Sequence, residues 1–282
     1  MTTAHAWLPT SPCATSCVDD GPSRVGVVRT GVRLVGLAAL VTAFPALQLI
    51  PGRGRRVGAQ RRLARAGLRR CGIELRLIDA RDASSPGPVF AAPDTGVLVI
   101  AAHVGWTDVL VLAAVQPIGF VARADLVDWP VLGRLARAAR VVPVDRSDLR
   151  RLPTAVAQVT DLLRRGEPMA VFPEGTTWCG RASGRLRPAF FQAAVDAAVP
   201  VQPIRLRYLD PAGAVATTAG FVGTESFAGS LLRLARSSGL TAEVVLLPTL
   251  TPDRHRRELA RAGQRAVHGT MASSAKRRLV PA

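Results

Sequence analysis

The stretch Val97-Leu98-Val99-Ile100-Ala101-Ala102-His103-Val104-Gly105-Trp106-Thr107-Asp108 runs from an unbroken apolar segment into a polar loop that carries a histidine and then an aspartate. The apolar run reads as a strand, and residues 108–115 read as a helix with Thr107 or Asp108 near its N-terminus. His103 therefore stands where a strand ends. Five residues turn through about 500° on a regular helix, so the two side chains would not share a helix face. The reading is a histidine in the loop and an aspartate just inside the helix, where the turn brings the carboxylate back to the ring. A carboxylate accepting from one imidazole nitrogen fixes the tautomer and leaves the other nitrogen to take a proton from a hydroxyl. As a spacing alone, such a pair is a weak signal, and a structural hydrogen bond is the ordinary reading of it.

On either side the chain alternates. Residues 73–78, 97–102, 118–122, 141–144, 169–172, 201–206 and 242–247 read as short strands, and residues 108–115, 131–139, 154–165 and 189–198 read as helices. Short apolar runs alternating with helices predict an α/β fold: a mostly parallel, helix-covered central sheet. In such sheets chemistry gathers where strands end and loops begin. A second apolar run ending in a polar turn, Val171-Phe172-Pro173-Glu174-Gly175-Thr176, follows about seventy residues after the first.

At 282 residues and 48% hydrophobic content the chain can bury a substantial core, which excludes disorder of the whole. Its formal net charge of +17 is almost all arginine, with Lys276 the only lysine, and it predicts attraction to phosphate headgroups, acidic membrane surfaces or nucleic acid. Thirteen aromatic residues and no basic recognition helix argue against nucleic acid. Cys13, Cys17, Cys71 and Cys179 show no repeated pair spacing, which fits a reducing compartment, and Cys13 and Cys17 with His5 make no expected metal site.

Residues 1–24 read as a mobile tail. Residues 34–50, LVGLAALVTAFPALQLI, carry no charge and sit at the lower edge of a bilayer span of roughly 17 to 25 residues, with Pro45 interrupting any helix. A membrane-inserted hairpin or anchor is the leading expectation; a buried helix of the domain and a cleaved signal are the alternatives. Arg53, Arg55, Arg56, Arg61, Arg62, Arg65, Arg69 and Arg70 follow, with no acidic residue until Glu74. Such a block suits an anionic membrane surface and, by the positive-inside bias, the cytoplasmic face. A solvated helix face is its plainer reading. Residues 25–70 are thus a membrane-associated helical segment with its basic block, residues 71–252 a catalytic domain, and residues 253–282 a basic surface helix and tail.

Four blocks in order, His103-Val104-Gly105-Trp106-Thr107-Asp108, Val142-Pro143-Val144-Asp145-Arg146, Phe172-Pro173-Glu174-Gly175-Thr176 and Val199-Pro200-Val201-Gln202-Pro203-Ile204, resemble the glycerolphosphate acyltransferase superfamily, and more narrowly its PlsC-like 1-acyl-glycerol-3-phosphate acyltransferases. The resemblance runs over residues 96–206. It implies that His103 deprotonates an acceptor hydroxyl with Asp108 as orienter, and that the hydroxyl attacks an acyl thioester directly. It implies that Arg123, Arg146, Glu174, Gly175 and Thr176 bind the acceptor, Arg146 through its phosphate. The block around Pro200 would shape the acyl-chain or thioester side. Acyl-CoA or acyl carrier protein would be co-substrate, a lysophospholipid the acceptor, and no cofactor or metal is implied.

The chain departs from the pattern in two places. Ala102 replaces the asparagine that usually precedes the histidine, and Thr177-Trp178 replaces the Arg-Ser that usually follows the threonine. Arg181, Arg185 or Arg187 could supply the missing guanidinium. A lyso-aminolipid such as lyso-ornithine lipid is therefore a second candidate acceptor. A Cys-His hydrolase pairing Cys179 with His103, and a basic nucleic-acid-binding protein, are distant alternatives.

Overall fold

The computed structural model describes residues 8–21, 23–82, 87–124, 140–145, 148–253, 255–269 and 278–280. The helix expected over 131–139 lies outside the described residues, as does Arg146.

The strands are β1 (Ser23–Arg24), β2 (Ile73–Asp79), β3 (Leu98–Ala101), β4 (Gly119–Arg123), β5 (Val141–Val144), β6 (Met169–Val171), β7 (Val201–Leu209), β8 (Ser237–Ser238), β9 (Leu240–Leu246) and β10 (Arg278–Val280). Eight of them form one sheet in the order β10-β2-β9-β7-β3-β6-β4-β5, and β1 pairs with β8 apart from it. The five strands from β7 to β5 run parallel, as do β2 and β9, while β7 meets β9 and β10 meets β2 antiparallel. The sheet is mostly parallel, as the alternation of short apolar runs requires. The C-terminal ends of β7, β3, β6, β4 and β5 consequently lie along one edge.

The helices are α1 (Val27–Ala43), α2 (Arg53–Arg70), α3 (Thr107–Val115), α4 (Leu152–Arg164), α5 (Phe191–Ala197), α6 (Phe227–Arg236) and α7 (Arg256–His268). They cover both faces of the sheet. Val99, Ala101 and Ala170 face a cluster built with Leu68 of α2 and Val111, Leu112 and Val115 of α3. Their strand neighbours Leu98, Ile100, Met169 and Val171 face the other way, onto Val159 and Leu163 of α4, Phe191 of α5 and Leu259 of α7. Successive strand residues point to opposite faces, so strands buried on both sides need apolar residues at every position. That requirement is why residues 97–102 are apolar throughout.

Three expectations change. The tail reading fails for the described residues from 8 to 24: Cys13 is buried with Cys179 and Val222, Asp19 exchanges two hydrogen bonds with Thr217 at 2.9 and 2.8 Å, and β1 joins β8. Apolar contact and paired polar groups hold this segment across the domain. The C-terminal helix is no free surface helix, because Leu259, Ala260, Gly263 and Val267 recur on one face of α7 and are buried, and residues 278–280 form an edge strand instead of a tail.

The third concerns the apolar segment. Its helix begins at Val27, seven residues before the uncharged run, and Pro45 starts a short 3-10 turn, Pro45–Leu49, before α2. The segment Val27–Leu49 is long and apolar enough to cross a membrane, yet only 11% of its most apolar 18-residue window is buried inside the protein. That exposure overturns the core-helix alternative.

Candidate active site

β3 ends at Ala101 and delivers His103 into the loop before α3. Asp108 lies in the first turn of α3, fully buried. His103 Nδ1 is 2.8 Å from Asp108 Oδ2, and the same oxygen accepts from the Val104 amide at 2.7 Å and the Gly105 amide at 3.0 Å. The other oxygen, Oδ1, accepts from the Tyr208 hydroxyl at 2.8 Å, which itself meets Thr107 Oγ1 at 2.8 Å. A carboxylate surrounded by donors acts as acceptor only, so Nδ1 carries its hydrogen toward Asp108 and Nε2 presents its lone pair. Burial, and next the Asp108 charge, push the Tyr208 phenol well above its ordinary range, so it stays a donor.

The ring of His103 stacks on Phe172 with centroids 4.0 Å apart and planes 10° from parallel. Its side chain keeps 18% of its surface open. The imidazole is thus held on one face and at one nitrogen, and remains open to a reactant. This is the geometry that general-base work needs.

The neighbouring turn after β6 contributes differently from expectation. Glu174 has no exposed side-chain surface, and its two oxygens accept from the His103 amide at 2.8 Å and the Gly184 amide at 2.7 Å. It fixes the backbone of the histidine loop and does not face a bound acceptor, which corrects its assignment as a binding residue. Burial pushes its carboxyl up to about 7, the two amides pull it down, and the Asp108 charge raises it again. His268 Nε2 stands 3.6 Å away, but burial and then the Arg205 charge hold that imidazole low, so no cation offsets the cost.

Gly175 follows at φ +76°, a conformation that L side chains rarely adopt, and a Cβ there would meet Pro9 at 2.7 Å and Arg187 Cδ at 3.8 Å. The N-terminal segment therefore presses on this turn. Thr176 is half-buried beside it. Arg187 is exposed, and its backbone amide donates to Pro173 O at 2.9 Å. Arg181 pairs instead with Asp19 at 3.1 Å.

Arg123 is exposed at the C-terminal end of β4, in register with Val144 of β5. With β6 between β4 and β3, it lies on the same sheet edge as His103 and about 10 Å across the strands from it. Pro200 falls elsewhere: its carbonyl accepts from the Leu98 amide at 3.1 Å, at the opposite end of β3 from His103. Its block belongs to the core, with Val201 and Ile204 fully buried, and only its far end, Ile204 in register with Ala101, comes near the histidine loop. Cys179 is packed with Cys13 and Val222, and the partner of His103 is Asp108.

A C-terminal helix was expected, but no role at the site was assigned to it or to Tyr208. Tyr208 is the only tyrosine in the chain and sits in a strand buried at every position but Arg207. Gln264 of α7 takes the Leu186 amide at 2.6 Å and donates to Gly184 O at 3.2 Å, bracing the loop that closes over Glu174. Nothing in its local sequence announces that role.

The Acyltransferase family model matches residues 85–207. A lyso-ornithine lipid O-acyltransferase of Pseudomonas aeruginosa is 34% identical over 194 residues, covering 66% of this chain and 74% of that protein. This chain belongs to the PlsC-like glycerolphosphate acyltransferase family. A 1-acyl-sn-glycerol-3-phosphate acyltransferase of Neisseria gonorrhoeae is 37% identical over 118 residues, and the match spans 42% of this chain and 46% of that relative, about half its length. The crystal structure of the 1-acyl-sn-glycerophosphate acyltransferase PlsC from Thermotoga maritima has the same fold, with a TM-score of 0.60 at 14% identity over 85% of this chain and 93% of its own.

Proposed function

We propose that this chain transfers a fatty acyl group from an acyl thioester, acyl-CoA or acyl carrier protein, to the free hydroxyl of a lysophospholipid at the cytoplasmic face of a membrane. The observation that carries this reading is the His103 Nδ1 to Asp108 Oδ2 bond of 2.8 Å at the open edge of the sheet. His103 Nε2 takes the hydroxyl proton as the oxygen attacks the thioester carbon. The C–O bond forms, the C–S bond breaks, and the proton passes from the imidazolium to the leaving thiolate. Asp108 stabilises the imidazolium between those steps. No acyl-enzyme is required.

The first acceptor is 1-acyl-glycerol-3-phosphate. Arg123 at the end of β4 and Arg187 beside Gly175 supply guanidinium groups suited to a phosphate, with Arg146 as a third contact. Lyso-ornithine lipid is a second reading, favoured by the length of the match. Three lyso-ornithine lipid O-acyltransferases align over 66%, 61% and 60% of this chain and a fourth over 40%, against 42% for the Neisseria relative. An assay with labelled acyl-CoA against both acceptors in parallel separates them: product from lysophosphatidate alone supports the first reading. Product from lyso-ornithine lipid alone supports the second, and product from neither, with acyl-CoA and with acyl carrier protein as donor, refutes acyl transfer to this class.

A further inference from the structure

We propose that Arg29, Arg33, Arg69 and Arg70 form a binding site for the phosphate of an anionic phospholipid headgroup, separate from the site of acyl transfer. The four arginines, with Val32 and Ala66, line a cavity of about 360 Å³ between α1 and α2. None of its lining residues is acidic, and the guanidiniums of Arg29, Arg69 and Arg70 have no hydrogen-bond or ion-pair partner among the described residues. Arg33 is buried and anchored as the floor: its guanidinium donates to Ala235 O at 3.1 Å and to Ser237 O. Four guanidiniums around one cavity repel one another unless an anion lies between them. A phosphate diester matches that need in charge and in its acceptor oxygens.

The cavity is shaped for this grouping. Gly36 lets Arg70 lie flat against α1, since a Cβ at that position would come within 2.8 Å of Arg70 Nε. Val28, Val32 and Val35 recur at helical spacing and are 84%, 55% and 71% exposed, with Val32 on the lip of the cavity. An apolar stripe beside a cationic pocket accommodates a phosphate that carries acyl chains, and a soluble anion has no use for the stripe. That juxtaposition selects a lipid over free phosphate. The assignment rests on the reading that the enzyme works at a lipid surface, and it does not require any particular acceptor.

The test uses the full chain and sedimentation with phosphatidylcholine vesicles, with and without phosphatidylglycerol, at an ionic strength of about 0.15 M. Arg69→Gln/Arg70→Gln is compared with Arg55→Gln/Arg62→Gln, exposed arginines of the same helix whose loss changes net charge equally. Diffuse attraction to an anionic surface is worth about fivefold for each arginine wherever it lies. The pocket pair should lose at least tenfold more affinity for the phosphatidylglycerol vesicles than the control pair. Gly36→Ala, which alters no charge, should also weaken that binding several-fold by crowding Arg70. Calorimetric titration with inorganic phosphate should show no site that the pocket pair removes.

Equal losses in the two pairs would overturn the proposal in favour of diffuse charge. Tight inorganic phosphate binding abolished in the pocket pair would overturn it in favour of a soluble anion. Acyl transfer to detergent-dispersed acceptor, measured on the same preparations, should be unchanged in the pocket pair. Absence of turnover in the wild type would refute the acyl-transfer reading and leave the vesicle result standing.

Discussion

The end of β3 and the helical pair α1–α2 are built on opposite terms. Around His103 every carboxylate is answered from within the chain: Asp108 by an imidazole, a phenol and two amides, Glu174 by two amides. On α1 and α2 the apolar face of Val28 and Val35 and the guanidiniums of Arg29, Arg69 and Arg70 have no answer among the described residues. A buried polar group costs far more unpaired than paired, so the carboxylates of the first region are held by donors of the chain itself. The second keeps its complement outside the chain. Changes in the first region should therefore be felt in catalysis and stability, and changes in the second only in association.

The largest effect belongs to Asp108→Asn. An amide keeps one acceptor oxygen, which the Val104 and Gly105 amides hold beside Nδ1, but it carries no charge to stabilise the imidazolium and turns its NH2 toward the Tyr208 hydroxyl. Turnover should fall by about 10³- to 10⁴-fold with the fold retained, read from kcat and far-ultraviolet circular dichroism. A loss under tenfold would mean that Asp108 does not govern His103.

Next comes Glu174, whose stability effect has a definite sign. In the folded protein its carboxyl sits near 7, against an ordinary 4.5, so over that window the folded state holds a proton that the unfolded chain has released. Its contribution is full below about pH 4.5 and is lost as pH rises through about 7, a difference on the order of 3 kcal/mol. Wild type should lose more thermal stability between about pH 5 and about pH 8 than Glu174→Gln, which cannot titrate. Parallel curves for the two proteins would break this part of the comparison.

Tyr208→Phe removes one of four donors to Asp108 and leaves the ring in place. Its cost should be smaller, about tenfold in kcat with KM unmoved, because a single hydrogen bond to a charged group contributes about 1.5–3 kcal/mol at most. A changed KM would instead place Tyr208 against the acceptor. The smallest effect on the fold is expected from Val28→Asp/Val35→Asp on exposed α1. Its melting temperature should match wild type within the spread of surface substitutions, about 0.5 kcal/mol, while vesicle binding falls. A marked drop in melting temperature would show that the Val28 and Val35 face of α1 is covered by protein.

How much of this was legible follows from the range over which each feature is determined. The strands beside the site could be read because burial on both faces forces continuous apolar runs, and His103 with Asp108 could be read because the pair closes within one loop. Arg123 and Gly175 fell on the sheet edge where strand ends put them. Glu174 could be found but not understood: its partner amide on His103 is 71 residues away, and only the β3–β6 pairing brings the two together. Tyr208 reaches Asp108 across 100 residues for the same kind of reason. The N-terminal segment lacked periodicity, so its docking through Cys13, Asp19 and Pro9 had no local signature. Pro200 was misplaced because a motif's order in sequence does not say at which end of a strand it lies.

The most direct test of the central claim is turnover of labelled acyl-CoA with lysophosphatidate and lyso-ornithine lipid by wild type and His103→Ala. Wild type should transfer acyl groups with one thiol released per ester formed, and His103→Ala, still folded, should lose at least about 10³-fold in kcat. Retained transfer by His103→Ala would contradict that claim.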